Sequence, residues 1–152
     1  MKTSNVTMTS ATALLALVAA CGQVHAAGSA DIQEPLALRQ IMQDLGRNMQ
    51  LVTGGISRED WALVAKTALL IADHAQPPMS EKARILSYMG GNASSFRAHD
   101  ARTQDAAQAL AQAATRADGQ GVVAAFATLQ SSCLACHQVF RKPFVEHFYG
   151  QR

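Results

Sequence analysis

The sequence predicts an all-α fold, an antiparallel four-helix bundle, on three observations. Alanine and leucine are abundant, β-branched runs are rare and aromatics make up only 5% of 152 residues, a mixture that suits closely packed helices better than strands. Apolar residues recur at spacings of three and four along separate segments. Short loops between those segments favour antiparallel neighbours. No internal repeat points to an open helical array instead, and the length suits one domain with a single core.

The first helix is expected from about Pro35 to Val52, with Leu38, Met42, Leu45, Met49 and Val52 forming a seam. Thr53-Gly54-Gly55 is expected to stop it. Ser57 is then a candidate N-cap for the second helix, with Glu59 and Asp60 in its first turn. That helix carries Trp61, Val64, Ala68 and Ile71 towards the core and ends before Pro77-Pro78. Residues 76–95 are less regular: Glu81 to Met89 can form a short helix, and Gly90-Gly91-Asn92 breaks it. The third bundle helix runs from near Ser94 to Ala117, rich in alanine and glutamine, before the turn Asp118-Gly119-Gln120-Gly121. The fourth starts at Val122 and sets Phe126, Leu129, Cys133, His137, Phe140 and Phe144 on one stripe. Pro143 is expected to kink or end it near Lys142.

Ahead of the bundle, residues 1–26 read as a secretory signal peptide. Lys2 and polar residues precede an apolar run from Ala11 to Ala20, too short to span a bilayer. Val24-His25-Ala26 fits a signal peptidase site, with residues 27–34 as a tether and 35–152 as the domain. The competing reading is a lipobox at Val18-Ala19-Ala20-Cys21, with Cys21 lipidated. Either way the expected location is periplasmic, soluble or lipid-anchored, with no transmembrane span in the mature form. The net charge of +2 and the lack of a Lys/Arg-rich tract give no reason to expect nucleic acid or an anionic membrane surface as partner.

Near the end of the chain, Ser131 to Lys142 reads Ser-Ser-Cys-Leu-Ala-Cys-His-Gln-Val-Phe-Arg-Lys. Within it Cys133, Cys136 and His137 spell Cys-x-x-Cys-His, the pattern of c-type haem attachment. On a helix, positions i, i+3 and i+4 share a face. Both thiols can therefore reach haem vinyl groups while the imidazole stands beneath the iron. Covalent tethering also suits an exported protein, which would lose a dissociated haem by dilution. Three competitors are weaker. A thioredoxin-like dithiol wants a helix start after a strand, a zinc site wants further ligands, and a disulfide within one helical turn is strained.

A C-terminal Cys-x-x-Cys-His followed by Gln-Val-Phe-Arg-Lys, in an exported four-helix chain, resembles the class II cytochromes c: cytochrome c′ and its low-spin relatives. The resemblance extends to Met42-Gln-Asp-Leu-Gly-Arg-Asn-Met49 and covers about Pro35 to Lys142. It does not carry over onto residues 76–95 or the tail that begins at Pro143. It implies one covalent haem c with His137 as an axial ligand, and it places Met42 at the position of the methionine that ligates iron in the low-spin members. Those members transfer single electrons and are not enzymes of metabolic conversion. Cytochromes c′ proper leave the second face of the iron open or plugged by an apolar side chain, and bind NO or CO. By heptad position alone Met42 is a core residue, Met49 is the fallback sulfur and Leu38 the candidate plug.

Arg141 lies one turn beyond His137 and is a candidate partner for a haem propionate, as is Arg47 more weakly. Phe140 and Phe126 are expected to pack on the ring. His74, His99 and His147 read as surface histidines. Redox proteins are the expected partners, and the resemblance allows a homodimer.

Overall fold

The computed structural model describes residues 36–150. The signal peptide at 1–26, its two cleavage readings and the tether at 27–34 lie outside the described residues. Four long helices, α1 (Ala37–Ser57), α2 (Trp61–Ala72), α4 (Ala93–Thr115) and α5 (Gly119–Tyr149), form a four-helix bundle. A shorter α3 (Met79–Met89) and a 3-10 turn (Gly90–Asn92) connect α2 to α4. There is no strand among the described residues.

Two of the corners use the same device. At the end of α1, Glu59 adopts φ 56°, and at the end of α4, Ala117 adopts φ 51°. Each left-handed residue lets the chain fold back on the helix end: the Asp60 amide donates to the Gly55 carbonyl, and the Asp118 amide donates to that of Ala113. The aspartate then caps the next helix. Asp60 accepts from the Leu63 amide at 3.0 Å and Asp118 from the Gly121 amide at 2.9 Å, satisfying a donor that the helix start leaves free. The two corners lie side by side, since a Cβ at Gly119 would stand 3.4 Å from the Trp61 ring.

Three expected boundaries therefore move. Thr53-Gly54-Gly55 does not stop α1. Gly55 is buried inside the helix, where a Cβ would come within 2.8 Å of Val64 Cγ2, so this glycine serves close approach of α2 rather than termination. The N-cap of α2 is Asp60 and not Ser57, whose hydroxyl donates to the Thr53 carbonyl inside α1. Pro143 does not end α5, which continues to Tyr149. Proline removes one backbone donor, but the turns beyond it are held by side chains. Phe144 is buried, and Tyr88 donates from its hydroxyl to the Pro143 carbonyl at 3.0 Å. At the other irregular point, Gly90 closes α3 at φ 50°, a conformation that favours glycine.

Helix packing is uneven. α4 packs along both α2 and α5, and α1 packs along α2, but α1 and α5 barely touch. The main core lies between α2, α4 and the adjoining halves of α1 and α5, with Val52, Val64, Ala68, Ala107, Leu110, Val122 and Leu129 fully buried. A second cluster of Leu36, Ile85, Met89, Phe140 and Phe144 joins α3 to the start of α1 and the end of α5. Buried Glu81 of α3 ties this end together. Its carboxylate accepts from the Ala37 and Leu38 amides at 2.7 and 2.8 Å, a charged cap on α1 supplied from a distant part of the chain. By length and composition α5 could cross a membrane, yet it packs along α4 as a bundle helix.

Candidate functional site

The gap between α1 and α5 holds a cavity of about 610 Å³, within the size range of cofactor sites. The helical repeat dictates what each wall presents. From α1 come Leu38 and Met42 in one row and Arg39 and Gln43 in the next, each pair four residues apart. From α5 come Cys136, Phe140 and Phe144 in one row, and His137, Arg141 and Val145 beside it. Phe96 of α4 closes the space from below, edge-on to Phe140 at 5.4 Å between ring centres. Met42 and His137 thus line the same cavity from two different helices, ninety-odd residues apart in sequence.

Of the residues expected from sequence, Met42, Cys136, His137, Phe140 and Arg141 are brought together here. Cys133 lies one turn back, half-buried against the main core, whereas Cys136 packs against the second cluster. The motif therefore straddles the junction of the two. Arg47 is not brought to the cavity; it is exposed and pairs with Asp44 on the same face of α1. Phe126 packs against the main core instead of the cavity.

Two of the three histidines differ from expectation. His74 is not a surface residue: its side chain is 8% exposed, with Nδ1 2.9 Å from the Ile71 carbonyl and Nε2 3.1 Å from Asp100. His99 is half-buried and edge-on to Phe140 at 5.7 Å. His147 is exposed, as expected, and stacks on Tyr88 at 4.0 Å, away from the cavity lining. Sequence reasoning missed Arg39, Phe96 and Tyr149. Arg39 was legible in principle, because it lies three residues before Met42 and shares its face.

Local electrostatics suit a neutral, ligating imidazole and two thiols held in the protonated form. Burial, and then the charge of Arg141, lower the His137 pKa and favour the neutral ring. Burial raises both thiols, that of Cys136 further through Asp100 and Cys133, and both cysteines are free. Among the described residues no three His, Cys, Asp or Glu side chains converge on a metal site. The motif also lies deep within α5, not at a helix start, the position that dithiol redox chemistry uses.

The residues present fit a haem. The cavity is walled by apolar and aromatic side chains, with the Cys136 thiol and the His137 imidazole on one helix and a thioether on the other, and the Cys133 thiol follows one turn back on the same helix. Arg39 and Arg141 both line it, and neither makes an ion pair among the described residues. Two cations without anionic partners beside an apolar slot match a flat apolar ring that carries two carboxylates.

Comparison with known proteins agrees with this chemistry. The family model described as cytochrome c′ matches residues 36–141, more than two thirds of the chain. A cytochrome c′ from Pararhodospirillum photometricum is 38% identical over 61 residues, covering 40% of this chain and 49% of the relative. The aligned part thus spans about half the length of that curated relative. No solved structure matches. The chain belongs to the cytochrome c′ family and is a haem-binding c-type cytochrome.

Proposed function

We propose that the protein is an exported carrier of single electrons, with one haem c held by Cys133 and Cys136 through thioethers and by His137 and Met42 as axial ligands. The observation that carries this reading is that Met42 and His137 line one cavity from different helices. When bound, the haem supplies a one-electron couple between ferric and ferrous iron. The chain's part is to keep the ligand set constant. His137 is fixed by the same helix that carries both cysteines, and Met42 by a helix capped through Glu81 and docked on α2. A thioether ligand favours the ferrous state and raises the potential. Phe96, Phe140 and Phe144 give the slot an apolar, aromatic lining. The leader read at residues 1–26 supports a periplasmic location. Redox proteins are the proposed partners, with a homodimer as a possible assembly in solution.

A specific observation favours a second reading. Leu38 lines the cavity one turn before Met42 on the same row of α1. Were Leu38 to cover the iron, Met42 would only pack, and the protein would be a five-coordinate binder of NO or CO, as the family name allows. An optical spectrum of the ferric haem-loaded protein separates the two. Electron carriage with Met42 ligation predicts a low-spin spectrum with a weak sulfur-to-iron band near the red edge, lost in Met42→Ala. A high-spin spectrum with ready CO binding by the ferrous wild type overturns it in favour of the second.

A further inference from the structure

The family match ends at residue 141, but α5 runs on to Tyr149, and this extension forms part of the cavity wall. Phe144, Val145 and Tyr149 all line it. The extension is firmly held: Phe144 and Phe148 pack at 4.5 Å between ring centres, and Tyr88 meets both edge-on at 6.4 and 5.2 Å. It ends in an unusual position for a phenol. The Tyr149 hydroxyl oxygen is fully buried and has no hydrogen-bond partner among the described residues. A buried polar atom without a partner is costly, so a tyrosine there points to an acceptor supplied by whatever fills the cavity. The Arg39 guanidinium lies 5.3 Å from the centre of the Tyr149 ring and makes no ion pair among the described residues. A cation without an ion pair over the ring of a phenol without a hydrogen-bond partner calls for an anionic oxygen acceptor. Glu81, the carboxylate that bears on this phenol, already accepts from the Ala37 and Leu38 amides. Burial raises the phenol pKa more than Arg39 lowers it, which keeps the hydroxyl a donor at neutral pH.

We propose that the last turns of α5, beyond the family segment, are a wall of the haem cavity in which the Tyr149 hydroxyl donates a hydrogen bond to a haem carboxylate beside Arg39. This rests on the reading of the cavity as a haem site. Among the described residues no other element supplies a hydroxyl to the lining, so the extension adds a hydroxyl contact that the matched segment lacks.

The test uses the haem-loaded full chain and its Tyr149→Phe variant, which keeps the ring and its packing. A pyridine haemochrome assay on each reports covalent haem, and resonance Raman spectroscopy reports the propionate bending band. Expected is equal haem content with a shifted propionate band in Tyr149→Phe, and a further shift when Arg39→Gln is added. Haem present with an unchanged propionate band overturns the Tyr149 assignment alone. A changed C–O stretch of the ferrous CO adduct with an unchanged propionate band also overturns it, placing the hydroxyl near the iron's ligand. Absence of covalent haem from the wild type overturns the haem reading and this inference together.

Discussion

The two ends of the bundle are built from different residues and differ in what they can hold. At the end with the paired corners, alanine and branched aliphatic side chains let α2 and α4 approach closely, and Val64, Ala68, Ala107, Leu110 and Leu129 are all 0% exposed. At the other end, Phe140, Phe144, Ile85 and Leu36 bring α3, α1 and α5 together without closing α1 against α5. Small side chains set helices close enough to exclude everything else. Large aromatic ones hold helices apart and leave a slot edged with ring faces. The first end supplies stability and the second supplies a site, with the Cys-x-x-Cys-His turn at their junction.

Leu-to-Ala substitutions at each end break this contrast most directly. In the haem-loaded protein, Leu110→Ala removes a fully buried side chain from a place that cannot collapse, and should cost about 3 kcal/mol. Leu38→Ala on the cavity wall removes a side chain that the chain's own residues leave half-exposed, and should cost about 1 kcal/mol or less of protein packing because its transfer term is smaller. Urea unfolding of both variants measures the difference. Equal losses would mean that the cavity end is packed as tightly as the core.

The corners sharpen the comparison at a smaller scale. Asp118→Ala removes the cap of α5 and should cost about 1 kcal/mol, as should Asp60→Ala for α2. Ala117→Gly should act in the opposite sense by up to about 1 kcal/mol, because it relieves a left-handed alanine at φ 51°. Thermal unfolding of the three variants checks the signs. Stabilisation by Ala117→Gly alongside destabilisation by Asp118→Ala would show that the corner is held by the aspartate against local backbone strain.

These corners also show what the chain makes legible. Helical spacing located the bundle helices, and the Cys-x-x-Cys-His motif located one wall of the site, since both depend on residues close in sequence. The failures are all tertiary. Gly54-Gly55 has the composition of a stop, and only the approach of Val64 makes Gly55 a packing residue. Pro143 has the chemistry of a break, but Phe144 and the Tyr88 hydroxyl hold the helix beyond it. Two of the left-handed residues that end helices are Glu59 and Ala117, neither of which advertises the role. By sequence Arg47 is a weaker candidate than Arg141, and Arg39 is not among the candidates; which arginine of α1 reaches the cavity depends on the way α1 faces α5.

The smallest expected effect lies between the two ends, where His74 after α2 meets Asp100 of α4. The hydrogen bond to Asp100 raises the His74 pKa above 6.5, against an opposing effect of burial. The folded state therefore holds the proton more tightly than the unfolded chain. Its contribution to stability is fully present below about pH 6.5, the unfolded value, and is lost as pH rises through the higher folded one. Asp100 is 37% exposed, so solvent screening keeps the contribution to about 0.5 kcal/mol. The difference between wild type and His74→Gln in urea midpoints, followed from about pH 5.5 to about pH 8.5, isolates this pair from other titrating groups. The wild-type advantage should shrink with rising pH. An advantage that is flat or grows would show that His74 is held as the neutral ring, and that its place between α2 and α4 is a matter of packing alone.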